Sequence, residues 1–180
     1  CSHLKSFLFY ICEKYKNMIQ RIQSIFLLLV AGTLIAMLFF PIWQKVDTVN
    51  REKITLSAIK LTHDRENITS KELEIVNESS TYPIAILAFL AAAVAIYSIF
   101  KYENRLTQMK LGALNSLLIS ACLGITVYFI FEAKDVFTSP VQPVYLPAFY
   151  FTAAALFFNL LANRFIRRDE RLVRSADRIR

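Results

Sequence analysis

The sequence predicts an all-α fold: a bundle of four transmembrane helices with a small extracytoplasmic loop subdomain, a short β-hairpin, between helices 1 and 2. Three observations predict it. Apolar residues make up 56% of the 180 residues and charged residues only 19%, against roughly 45–50% and 25% in soluble domains. The apolar residues gather in four runs, residues 25–43, 83–100, 111–131 and 144–162, none of which holds Asp, Glu, Lys, Arg or His. Basic residues concentrate in alternate connections, as they do on the cytoplasmic side of multi-pass proteins.

Each run would be about 27–32 Å long as a helix, which matches a hydrocarbon layer about 30 Å thick. Lipid offers the backbone no hydrogen-bond partner, so an open sheet is excluded, and the runs lack the alternation of barrel strands. Four such runs are too large a share of this chain to be the interior of one soluble domain. In the first span, residues 25–43, Gly32 and Ala36 offer a small face, and Pro41 marks its end. The second, residues 83–100, opens on Pro83, where a missing N–H costs nothing; Ala85, Ala88, Ala92 and Ala95 share a face. The third, residues 111–131, steps through Gly112, Ser116, Ser120 and Gly124, with Asn115 beside them. The fourth, residues 144–162, has Pro147 in its first turn and a stripe of Ala148, Thr152, Ala155, Asn159 and Ala162. Small faces let helix backbones approach closely, and Asn115 and Asn159 are expected to hydrogen-bond between helices for about 0.6–2 kcal/mol each. The competing reading is that Asn115, Ser116, Ser120 and Asn159 line a polar path.

The connections orient the bundle. Residues 1–24 carry Lys5, Lys14, Lys16 and Arg21 against Glu13; residues 101–110 carry Lys101, Arg105 and Lys110 against Glu103. The tail, residues 163–180, carries seven arginines against Asp169, Glu170 and Asp177. The long loop, residues 44–82, has six basic and seven acidic residues. Both termini are therefore expected in the cytoplasm and the long loop outside. The net charge of +7 reads as a topology signal, and nucleic acid is not expected as a partner. Trp43, Tyr82, Tyr128 and Tyr145 would mark the outer interface and Tyr102 the inner one.

A loop as long as residues 44–82 is expected to have structure of its own. Residues 53–59 (KITLSAI) and 72–76 (ELEIV) alternate polar and apolar side chains, as half-buried strands do. The tail is expected to continue the fourth helix as a basic, amphipathic extension. Arg164, Arg167, Arg168, Asp169, Glu170, Arg171, Arg174, Asp177 and Arg178 are its candidate interaction residues. They fit an anionic lipid surface or a membrane-protein partner. Residues 1–17 have no targeting pattern, and Met18 begins a cleaner membrane start, MIQRIQSIFLLL. Residues 1–17 thus read as an upstream extension and residues 18–180 as one membrane domain.

No reactive constellation appears. Cys1, Cys12, Cys122, His3 and His63 form no ligand spacing. Neither a phosphate loop nor a nucleophile elbow is present. No ionisable group lies inside a span, where proton-coupled carriers keep theirs. No catalytic residue, cofactor or metal is expected, and the chain reads as a non-enzyme.

The start MIQRIQSIFLLLVAG, the segment FFPIW at residues 39–43, and the tail LANRFIRRDERLVRSADRIR at residues 161–180 resemble a Bacteroidetes membrane family known as domain of unknown function family 4293. The resemblance covers residues 18–180 and implies a four-helix protein of the bacterial inner membrane. It brings no activity and no catalytic residue.

Overall fold

The computed structural model describes residues 23–48, 51–66, 73–101, 104–135 and 141–177. The upstream segment 1–17, Tyr102 and the tail residue Arg178 lie outside the described residues. Four helices and five strands follow in the order α1 (Gln23–Phe39), β1 (Trp43–Asp47), β2 (Glu52–Leu56), β3 (Lys60–Glu66), β4 (Leu73–Ser80), α2 (Tyr82–Phe100), α3 (Arg105–Asp135), β5 (Val144–Tyr145) and α4 (Pro147–Asp177).

Three helices, Tyr82–Phe100, Leu106–Lys134 and Pro147–Arg171, are long and apolar enough to cross a membrane; α1 is a shorter apolar helix over its described length. The helix ends follow local chemistry. Pro41 lacks an N–H and disfavours helix before it, so α1 stops at Phe39 rather than running on to residue 43. Thr81 makes no side-chain cap; its Oγ1 donates to the Ser57 carbonyl at 2.9 Å and its N–H to the Ile59 carbonyl at 2.9 Å. The start of α2 is thereby tied to the turn between β2 and β3. Asn104 caps α3, its Oδ1 accepting the Thr107 N–H at 3.2 Å, as short polar side chains do at this position. Helix α4 begins at Pro147, three residues later than the apolar run, because Val144 and Tyr145 pair as a strand.

The expected hairpin is instead a five-stranded antiparallel sheet of order β4-β3-β2-β1-β5. Trp43 lies opposite Leu56 on one side and Tyr145 on the other. The α3–α4 connection therefore contributes a strand, and the sheet is not confined to the loop between the first two helices. Two backbone bonds lock this junction: Ile42 N–H to Leu56 carbonyl at 2.8 Å and Leu146 N–H to Ile42 carbonyl at 2.9 Å. Trp43 is completely buried inside the protein rather than presented on its surface. With Ile54, Leu56 and Leu61 it joins one apolar cluster with Ile84 of α2, Ile130 of α3 and Ala148 of α4. The sheet thus sits on one end of the helical body as a continuation of its core.

A second cluster fills the middle: Val30, Ala31 and Leu34 of α1 against Ala91, Ala92 and Ala95 of α2, Ile119 of α3 and Ala155 of α4. Helix α1 also meets α4 through Phe26 stacked on Phe165, with centroids 5.4 Å apart. The alanine face of α2 and the stripe of α4 point inward, with Ala88, Ala92, Ala95, Ala148, Thr152, Ala155, Asn159 and Ala162 all buried. The four-residue stepping read in α3 does not hold: Ser120 and Gly124 are exposed, because steps of four drift around a helix of 3.6 residues per turn. In α1, Gly32 is exposed and Ala36 half-buried. The inward face of α3 is Gln108, Gly112, Asn115, Ile119, Cys122 and Thr126.

Candidate functional site

Polar side chains converge where α3 and α4 pack, near the end of the body opposite the sheet. Gly112, Asn115 and Ser116 share one face of α3 at i, i+3 and i+4; Asn159 and Asn163 share one face of α4 at i and i+4. Asn115 Nδ2 donates to Asn159 Oδ1 at 3.1 Å. Asn159 Nδ2 donates to Ser116 Oγ at 2.8 Å and to the Gly112 carbonyl at 3.2 Å. Asn163 Nδ2 repeats the pattern one turn on, to the Gly112 carbonyl at 3.1 Å and Ser116 Oγ at 3.2 Å. Ser116 Oγ itself donates to the Gly112 carbonyl at 3.1 Å.

This cluster depends on Gly112. A methyl group there would overlap the Asn163 side-chain carbonyl, so only a hydrogen lets α4 come this close. Asn115 and Asn159 are 1% and 0% exposed. Two acceptors, Asn115 Oδ1 and Asn163 Oδ1, are buried without a hydrogen-bond partner among the described residues. Of the polar residues expected in the spans, the structure brings together Asn115, Ser116 and Asn159 and leaves Ser120 on the outside. Gly112 and Asn163 complete the cluster. Asn163 was readable only as the first tail residue, although it stands four positions after Asn159.

Beside the amides lies a cleft of about 720 Å³, lined by Ala113 and Ser116 of α3 and by Leu160, Asn163, Arg164, Arg167, Arg168 and Arg171 of α4. The four arginines are exposed and follow one face of α4 at helical spacing. From Ala162, the last residue of the apolar run, the inward face continues as Ile166 and Asp169, all buried. Asp169 is therefore part of the packed face rather than an exposed docking residue, and Glu170 is half-buried. The backbone of Arg174 and Asp177 continues α4, and their side chains lie outside the described residues.

At the other end, one face of the sheet changes from apolar to charged. Alternate residues of each strand share a face, so the register aligns Trp43 with Leu56, then Lys45 with Ile54 and His63, then Asp47 with Glu52 and Arg65. Lys45, Asp47 and Glu52 are all buried. Arg65 Nε donates to Glu52 Oε1 at 3.0 Å, its Nη2 contacts the same oxygen, and His63 Nε2 lies 3.5 Å from Glu52 Oε2. The Arg65 hydrogen bond, aided by the charges of Arg65 and His63, holds the Glu52 carboxyl below its ordinary pKa against the opposing effect of desolvation. In the sequence His63 belonged to no ligand spacing; strand alternation at 45/47, 52/54 and 63/65 was the signal for this ladder.

The model of the family described as Domain of unknown function (DUF4293) matches residues 19–179. The chain belongs to this family. The DUF4293 match spans the amide cluster, the arginine cleft and the whole sheet, so all three lie within the region that defines the family. No curated protein matches the chain.

Proposed function

We propose that this DUF4293 member is a multi-pass protein of the bacterial inner membrane. It crosses the bilayer four times as a four-helix bundle, with both termini in the cytoplasm, and works without catalysis as an accessory or scaffold subunit. The observation that supports this best is the inverted distribution of side chains on the helices. Leu28, Phe89 and Leu117 are 64–65% exposed, while Asn115, Thr126, Thr152 and Asn159 are at most 1% exposed. Water rewards the opposite arrangement; hydrocarbon favours apolar exteriors and internally satisfied polar groups. The two ends then project different chemistry, a sheet with a charged face outside and an arginine-bearing helix inside.

Affinity purification in mild detergent tests the scaffold role. A stoichiometric membrane-protein partner is expected; a chain that purifies alone and monodisperse contradicts it. For orientation, Lys60→Cys on the sheet should react with an impermeant maleimide in cells whose outer membrane is opened, and Arg164→Cys only after the inner membrane is opened.

The cleft reaches Ser116 and Asn163, which supports a second reading, a small transporter or channel-like oligomer with a polar path past Asn115 and Asn159. In that case Ser116→Cys would react with a water-soluble thiol reagent, and its protection removes this reading; Ser120 faces outward and does not test the path.

A further inference from the structure

We propose that the cleft between α3 and α4 binds one anionic phospholipid. Arg164, Arg167, Arg168 and Arg171 hold the headgroup phosphate, and the acyl chains descend past Leu160 and Ala113. The proposal deepens the membrane reading above and rests on it.

Charge is the first ground. Four guanidinium groups line one side of the cleft within two helical turns, and among the described residues its lining includes no carboxylate. The acids of the same turns lie off it, with Asp169 6% exposed on the packed face. Crowded like charges repel one another, and an anion between them relieves this. Guanidinium forks match phosphate oxygens in paired hydrogen bonds. Position is the second ground. The lining changes from Ala113 and Leu160 to arginine where the uncharged run of α4 ends. That is the level of lipid phosphates if the apolar run fills the hydrocarbon layer, and basic pockets between helices at this level suit anionic headgroups. Shape is the third. The volume of about 720 Å³ falls within the roughly 300–1,000 Å³ of small-molecule clefts. Toward the sheet, Leu117 and Phe157, one helical turn from Ala113 and Leu160, are exposed apolar side chains that extend this wall. A free phosphate would use the arginines and leave this apolar wall idle; an amphiphile uses both.

Phosphatidylglycerol titrated into phosphatidylcholine nanodiscs holding the full chain, with retained lipid counted by native mass spectrometry, tests the site. One phosphatidylglycerol should be retained per chain, and excess inorganic phosphate should not displace it. Arg164→Gln with Arg168→Gln should weaken retention about tenfold or more, the loss of about 1.4 kcal/mol or more. Ala113→Leu, which fills the cleft and leaves every charge, should weaken it too. Lys101→Gln with Lys110→Gln removes two charges from the same end outside the cleft and should leave retention near the native level. Equal losses in the two double variants would reduce the effect to general surface attraction and overturn the site, as would displacement by inorganic phosphate or unchanged retention in Ala113→Leu. A chain that needs an amphiphile to stay dissolved yet retains no phosphatidylglycerol defeats this site alone. A chain that stays folded in plain buffer defeats the membrane reading itself.

Discussion

Gly112 and Asn163 face each other where α3 and α4 pack, and each is intelligible only through the other. A Gly112→Ala chain must turn the Asn163 amide away and forfeit its bonds to the Gly112 carbonyl and Ser116 Oγ. Overpacking of this kind costs about 1–3 kcal/mol, and the thermal midpoint in detergent should fall accordingly. Adding Asn163→Ala should recover most of the loss, because the second substitution removes the obstruction; additive losses in the double-mutant cycle would contradict the contact. Glu52 gives a pH prediction at the same scale. Its folded pKa lies below the ordinary 4.5, so the unfolded chain binds more protons in that range and stability rises with pH there. The Glu52 contribution is complete above the unfolded value and is lost as pH falls through the folded one. Thermal midpoints measured from pH 7 downward should show this loss below about pH 4.5, and Glu52→Gln should reduce it. An identical acid profile in the two chains would show that the Arg65 pair contributes nothing.

At the scale of elements, the helices were legible and the sheet only partly so. Hydrocarbon-length runs without charge locate α2, α3 and α4 to within a few residues of their cores. Periodicity identified the inward faces of α2 and α4, where small residues recur at mixed spacings of three and four. It failed on α3, where stepping strictly by four led to Ser120 and Gly124 on the exposed side. Alternation located β2 and the first half of β4. Strand β1 was hidden because Trp43 ends an apolar run and looks like an interfacial anchor. In β3, the segment KLTHDRE places its polar residues without a regular apolar partner, so no period announces it. Two-residue β5 cannot be read from any pattern, since its partner lies about a hundred residues away in sequence. That long-range pair is open to a direct test. In a chain freed of its native cysteines, Gln44→Cys with Val144→Cys should oxidise to a disulfide, because opposed residues of antiparallel strands are about 4.5–5.5 Å apart at Cα. Gln44→Cys with Gln142→Cys, two positions out of register, should cross-link far less. Failure of the first pair to close would remove β5 from the sheet.

For the whole molecule, the two ends and the middle answer to different solvents. The middle carries its aromatic and aliphatic bulk outward and its amides inward. One end closes into a sheet that merges with the helical core through Trp43, Ile54 and Leu56. The other end extends α4, which at about 1.5 Å per residue is about 46 Å long against a hydrocarbon layer of about 30 Å. The surplus carries the arginines beyond the apolar level. Composition and charge made this overall division readable. The Asn115–Asn159 bond was readable in the sequence; its extension to Gly112, Ser116 and Asn163 and the arginine cleft were not, since each depends on how α3 and α4 are rotated about their axes.

Tryptophan fluorescence in vesicles containing brominated acyl chains measures which solvent the middle of the molecule meets. The chain has one tryptophan, Trp43, completely buried, so a Trp43→Phe background with Leu117→Trp places a single probe on the outward face of α3. Its emission should be blue-shifted and strongly quenched by the brominated lipid, while native Trp43 is quenched far less. Emission at the wavelength of water-exposed tryptophan, unaffected by brominated chains, would contradict the account at its centre.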